Sequence, residues 1–140
     1  MNTVELLLKT DAGKITEYPS KELEIKRLSD ITGTPFMVTV RAISGRRFTE
    51  LVDNIYDSKG NVSTKRAYET NILLTVAGLV SPDLKDRDLQ EHFGVRTPKD
   101  LAEKIFKGGE ISMIADEITE LSGFGKEEKE EEEKEEEIRD

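Results

Sequence analysis

The chain has 140 residues, no cysteine and one histidine, with 35% hydrophobic and 36% charged residues and a formal net charge of −9. This length suits one domain that buries roughly 65 to 70% of its unfolded surface. The lack of thiols excludes disulfides, thiolate metal sites and cysteine nucleophiles.

The charge is unevenly placed. Residues 126–140, KEEKEEEEKEEEIRD, hold ten acids and four bases, a net of −6, which leaves −3 for residues 1–125. A duplex-binding surface needs clustered Lys and Arg to displace counterions, and before the tail the bases come only singly or as scattered pairs such as Lys26-Arg27 and Arg46-Arg47. No run approaches the roughly 20 apolar residues that span a bilayer. Neither nucleic acid nor a membrane is expected as a partner. Met1-Asn2-Thr3-Val4-Glu5-Leu6 carries an acid in its apolar stretch and lacks the basic segment of a signal peptide, so an unexported chain is expected.

In chain order, residues 1–22 form an N-terminal arm in which Val4 to Leu8 fits a short strand or a turn of helix and Asp11-Ala12-Gly13-Lys14 reads as a turn. Leu23, Ile25, Arg27 and Leu28 suggest a first strand. Phe36, Val38, Val40 and Ala42 alternate with Met37, Thr39, Arg41 and Ile43 in a second, and Ser29 to Pro35 is the turn of a β-hairpin. After Ser44 as N-cap, Phe48, Leu51, Val52, Ile55 and Tyr56 make one helical face that should cover the hairpin. Asp57 to Asn61 breaks the pattern. A central helix from about Thr64 to Val80 turns Tyr68, Ile72, Leu73, Val76, Leu79 and Val80 inward.

Asp86 to Phe93 gives a short helix. Thr97 and Pro98 open another that carries Leu101, Ala102, Ile105 and Phe106, and Glu110 to Leu121 forms the last, stopped by Gly123. From Lys126 onward the one apolar residue is Ile138, too little to offset an ordering cost of about 1 to 2 kcal/mol per residue, so a disordered tail is expected. The fold class is α+β, mainly α: an N-terminal β-hairpin packed on a bundle of about five short helices. The domain plan is an arm at 1–22, a single domain at 23–125, and a disordered Glu/Lys-rich tail at 126–140.

No catalytic constellation emerges. His92 is alone, which excludes a two-histidine metal site within the chain, and it has no nucleophile elbow beside it. Asp83, Asp86 and Asp88 fail the calcium-loop pattern because Lys85 and Arg87 intervene and no glycine makes the turn. Asp53 to Asn61 fails because its acids are out of register with Gly60. Gly123-Phe124-Gly125-Lys126 lacks the spacer and the following Ser or Thr of a phosphate loop. The expectation is a non-enzymatic binding protein with no catalytic, cofactor-binding or metal residue, no cofactor, and a partner-binding surface that the sequence does not assign.

From Tyr68 to Phe124 the punctuation falls in a specific order: Pro82-Asp83-Leu84 after an apolar helix, Phe93-Gly94-Val95, Thr97-Pro98, Gly108-Gly109-Glu110, and Leu121-Ser122-Gly123-Phe124. Upstream, Thr32-Gly33-Thr34-Pro35-Phe36 is followed by Arg41-Ala42-Ile43. Together these resemble the bacteriophage tail assembly chaperones of the XkdN-like group. One departure is that Arg46-Arg47 stands where the family has an acid, with Glu50 three residues later.

The resemblance implies a chaperone of a phage or prophage tail that coats the helical tape measure protein until tail tube protein polymerises around it. It implies action in the bacterial host cytoplasm and absence from the mature virion. A homo-oligomer and a longer form made by ribosomal slippage near Gly125-Lys126 are left open. The alternatives are a structural or adaptor protein of the tail and a small acidic regulatory binding protein.

Overall fold

Strands β1 (Ser20–Glu24), β2 (Met37–Arg41) and β3 (Leu79–Ser81) form one antiparallel sheet in that order in the computed structural model, which describes residues 2–125. The expected disordered tail at 126–140 lies outside the described residues. Leu23 stands opposite Val38 and Lys21 opposite Val40. The period of two puts Val38 and Val40 on the covered face, both fully buried, and turns Met37 and Arg41 to the other. Helix α8 (Gly108–Leu121) packs on the covered face. Lys21 Nζ reaches Glu117 of this helix at 3.1 Å.

The architecture is α+β and mainly α, as the residue pattern implied, with local differences; among them, the helix after Ser44 ends at Val52 and lies against the central helix rather than over the hairpin, and Tyr56 is exposed. The first strand ends at Glu24, and Lys26–Thr32 forms helix α3 where strand and turn were expected. Ile25 and Leu28 are three apart, a spacing that serves a helix as well as a strand edge, and the Ile25 carbonyl accepts from the Leu28 and Ser29 N–H groups at 2.9 and 3.0 Å. Gly33 at φ 77° closes α3 in the left-handed conformation that glycine adopts without steric cost. The Ser29 hydroxyl then ties the connection together, accepting from the Phe36 N–H at 2.8 Å and donating to Glu24 at 2.7 Å.

A further difference is at the end of the central helix α5, which spans Thr64–Gly78 and stops before Val80. Leu79–Ser81 turns extended and pairs with β2 through a β-bulge, and Pro82 disfavours helical geometry at Ser81. Leu79 stays buried, whereas Val80 is 52% exposed. Tyr68, expected inside, is also exposed. Residues of α5 expected inward share the burial with Thr70, Leu74 and Thr75 because this helix is covered on more than one side. Helices α7 (Pro98–Ile105) and α8 lie against one part of it, and α4 (Gly45–Val52) with the 3₁₀ turn Asp53–Ile55 against another. A helix covered this way loses a single apolar stripe. The buried Thr70 and Thr75 hydroxyls donate to the carbonyls of Arg66 and Asn71, both at 2.8 Å, so neither is left unsatisfied.

The main core joins Ile25, Val38, Val40, Ile72, Leu101, Ile111, Ile114 and Ile118; a smaller cluster of Leu51, Leu74 and Ala115 packs with Phe48 and Leu73. Helices α5 and α8 meet closely at Gly78, where an added Cβ would lie 2.6 Å from the Ile118 side chain. Helix α8 starts two residues earlier than expected because Glu110 reaches back and accepts from the Lys107 N–H at 2.7 Å.

The same carboxylate clamps α3 to α8. Arg27 Nε donates to both Glu110 oxygens at 3.1 and 3.2 Å, while its Nη2 donates to Glu110 at 2.9 Å and to the Ile105 carbonyl at 2.7 Å. The hydrogen bond from Arg27 holds the Glu110 carboxyl below its usual range against the opposing pull of partial burial, with the Lys107 N–H assisting. The short helix α6 (Arg87–His92) precedes α7 in the chain.

Two outcomes follow from this packing. Gly78→Ala should lower stability by about 1 to 3 kcal/mol, as overpacking does, read as a lower urea midpoint with helical content retained. Glu110→Gln should cost most at neutral pH. A carboxyl with a depressed folded-state pKa contributes stability above its unfolded value of about 4.3, and that contribution is lost as the pH falls through the folded value. The melting temperatures of wild type and Glu110→Gln should therefore converge in acid; a gap independent of pH would show that the Arg27 pair does not set it.

Candidate functional site

Residues 2–20 are exposed throughout, although they carry Val4, Leu6, Leu7, Leu8, Ile15 and Tyr18. They form helices α1 (Thr3–Lys9) and α2 (Ala12–Thr16). The Asn2 side chain accepts from the Glu5 N–H at 2.9 Å, the Asp11 carboxylate from the Gly13 N–H at 3.2 Å, and the Thr10 hydroxyl donates to the Leu6 carbonyl at 2.7 Å. Val4, Leu7 and Leu8 follow the i, i+3, i+4 rule and share one side of α1. Leu8 is 80% exposed. Helices this short are marginal in water without tertiary packing, so the arm's apolar side is suited to completion by another surface.

The arm is anchored at its base. The Arg41 guanidinium carbon lies 5.6 Å from the centre of the Tyr18 ring, and the Pro19 carbonyl accepts from the Ala42 N–H at 2.9 Å. Tyr18 thereby meets β2 on the face opposite the core, where Met37 is exposed, while Val80 projects from the bulge in β3. Glu22 and Glu24, opposite Thr39 and Met37, border this face with charge. Arm and outer sheet face together present apolar groups rimmed by polar ones, the pattern of an interaction surface.

The residues weighed for chemistry have structural work instead. Asp86 caps α6 by accepting from the Leu89 N–H at 3.0 Å, and Asp83 accepts from the Lys85 N–H at 3.0 Å in a turn. Asp57 accepts from the N–H groups of Lys59 and Asn61, closing a loop flanked by the Tyr56–Val62 bridge. His92 is exposed and meets Phe93 edge-on at 5.2 Å. In the Gly123-Phe124-Gly125 run, Gly123 takes φ 90° and Phe124 stacks on Phe48 with ring centres 4.1 Å apart. An open depression between α6 and α7 carries Lys85, Arg87 and Arg96 beside Glu91. Among the described residues, no three His, Cys, Asp or Glu side chains are grouped to hold a metal ion, and no helix is long and apolar enough to cross a membrane.

The arm is the feature that the residue pattern left undecided. Its signal was present in the Asn2-x-x-Glu5 cap and the 4, 7, 8 spacing; what the sequence lacked was any sign that these leucines stay uncovered.

A family model described as phage XkdN-like tail assembly chaperone protein matches residues 4–139. No curated protein matches the chain. Among solved structures, the crystal structure of the protein YqbN is 24% identical with a TM-score of 0.60, covering 82% of this chain and 93% of that one, a likeness in fold.

Since the arm's leucines are exposed, the double variant Leu7→Ser, Leu8→Ser should shift stability by no more than about 0.5 kcal/mol. A thermal melt checks this, and a large drop would mean that the arm is packed in solution.

Proposed function

The chain belongs to the XkdN-like phage tail assembly chaperones, and on that footing we propose that it binds the tape measure protein and keeps it available while the tail tube polymerises around it. The observation that carries the binding half of this reading is the arm, whose apolar side chains stand free of their own domain. A long helical client exposes apolar stripes that self-associate, and an amphipathic helix laid along such a stripe covers it. Each leucine fully buried in that contact contributes about 1.5 to 3 kcal/mol, so a few suffice for a specific yet reversible complex.

Reversibility matters to the role. Tube subunits that cover the same stripe with larger area displace the chaperone by competition alone, which requires no catalysis. In this reading the protein is non-enzymatic, works in the host cytoplasm during assembly, and is left out of the mature tail. The tail tube protein is then a competitor for the client.

Co-expression with the tape measure protein of the same phage should keep that protein soluble and bring it down with the chaperone. The Leu7→Ser, Leu8→Ser variant should weaken retention by roughly tenfold or more, given about 1.4 kcal/mol per tenfold. Purified mature tails should lack the chain. A tape measure protein whose solubility is indifferent to this chain would refute the role, and stoichiometric recovery from finished tails would point to a structural component instead.

A further inference from the structure

We propose that the corner at Arg46 and Arg47 is a docking site for acidic peptide, and that its resident occupant is the chain's own residues 126–140. Three contacts put the start of that segment beside the corner. The Ile43 N–H donates to the Ser122 hydroxyl at 2.9 Å, the Phe124 ring stacks on Phe48 at 11° between planes, and a Cβ added at Gly45 would lie 3.8 Å from the Phe124 ring. Gly125 therefore leaves the domain at the first turn of α4.

That turn is electropositive and largely unneutralised. Helix α4 has no acid in its first turn, so the positive end of its dipole coincides with the two arginines. Arg46 is exposed with no ion pair among the described residues. Arg47 meets Glu50 at 3.8 Å, with both side chains more than half exposed, a geometry that contributes little. Arg41 ends β2 four residues before α4 begins.

The segment that follows Gly125 carries ten acids against four bases. Its adjacent glutamates repel one another, and a cationic surface relieves that repulsion. Fifteen residues reach about 50 Å when extended, so the corner is within range of the whole segment.

Two other basic groupings are poorer hosts. Arg27 is committed to Glu110 and the Ile105 carbonyl, and Lys85, Arg87 and Arg96 are interspersed with Asp83, Asp86, Asp88 and Glu91. Attachment in cis supplies an effective concentration on the order of millimolar, enough to populate a contact too weak for separate molecules.

The absence of cysteine from the chain makes the test direct. A spin label on Ile138→Cys in the full-length protein should broaden the amide signals of residues 44–48 at low salt. Those signals should return near 1 M salt, where the screening length is about 3 Å. They should also return in Arg46→Glu, Arg47→Glu, and when Glu130, Glu131, Glu132 and Glu133 are all changed to Gln, a variant that leaves residues 1–125 untouched. A merely tethered tail would broaden the same amides equally in every variant and salt, and that result overturns the proposal. Strongest broadening around Lys85, Arg87 and Arg96 overturns it as well.

Discussion

The contact between Gly78 and Ile118 is the constraint on which the rest of the domain depends. Any side chain at position 78 would meet Ile118 well inside van der Waals distance, so the approach of α5 to α8 requires glycine there. That approach brings Ile72 and Ile114 into one core and leaves the chain, one residue later, in position to pair Leu79 with Val40. Helix and sheet are thus joined at a point where the backbone passes directly from one to the other. The Arg27–Glu110 pair adds a polar clamp between α3 and the opposite end of α8, fixing by hydrogen bonds what the isoleucines fix by packing.

Much of this was legible because the signals were local and redundant. Thr97 and Pro98 mark the start of α7, and Thr97 does accept from the Asp100 N–H at 3.1 Å. The alternation from Met37 to Arg41 read correctly as a strand, and the structure puts Val38 and Val40 inward. Where the reading failed, one pattern served two structures. Ile25 and Leu28 fit strand or helix, and Leu79-Val80 continues the α5 periodicity while β2 recruits it into the sheet. A strand of three residues has no periodicity of its own, so its existence is a tertiary fact. The candidate surface was less legible still. Val4, Leu7 and Leu8 look like core residues by composition, and only the fold shows that nothing in the described domain covers them.

That exposure has a physical consequence for a chaperone. An arm of two short helices, each held by its own cap, is close to the limit at which helix forms in water. On the proposed reading, binding combines apolar burial with the ordering of the arm, which spends part of the gross interaction free energy and keeps the net affinity moderate. A client held moderately can be surrendered to a polymerising tube, whereas one held by a rigid preformed groove of equal area would be harder to release.

The two proposed contacts share a root in the backbone between β2 and α4. Ala42 donates its N–H to Pro19 at the base of the arm, and the next residue, Ile43, donates its N–H to Ser122 at the end of α8. Arg41, immediately before them, holds Tyr18 through its guanidinium, and Arg46 and Arg47 follow within a few residues. The base of the apolar arm and the end of α8 are therefore anchored on adjacent residues of one short segment. On the two proposals taken together, a client that engages the arm is brought close to the cationic corner, where its acidic groups compete with a tethered segment and gain the same advantage only after the arm has bound them. On those two proposals, the arm selects for an apolar stripe and competition from the tail raises the requirement for acidic groups beside it. That combination discriminates against apolar surfaces lacking the accompanying charge, which is specificity obtained by competition rather than by additional contact.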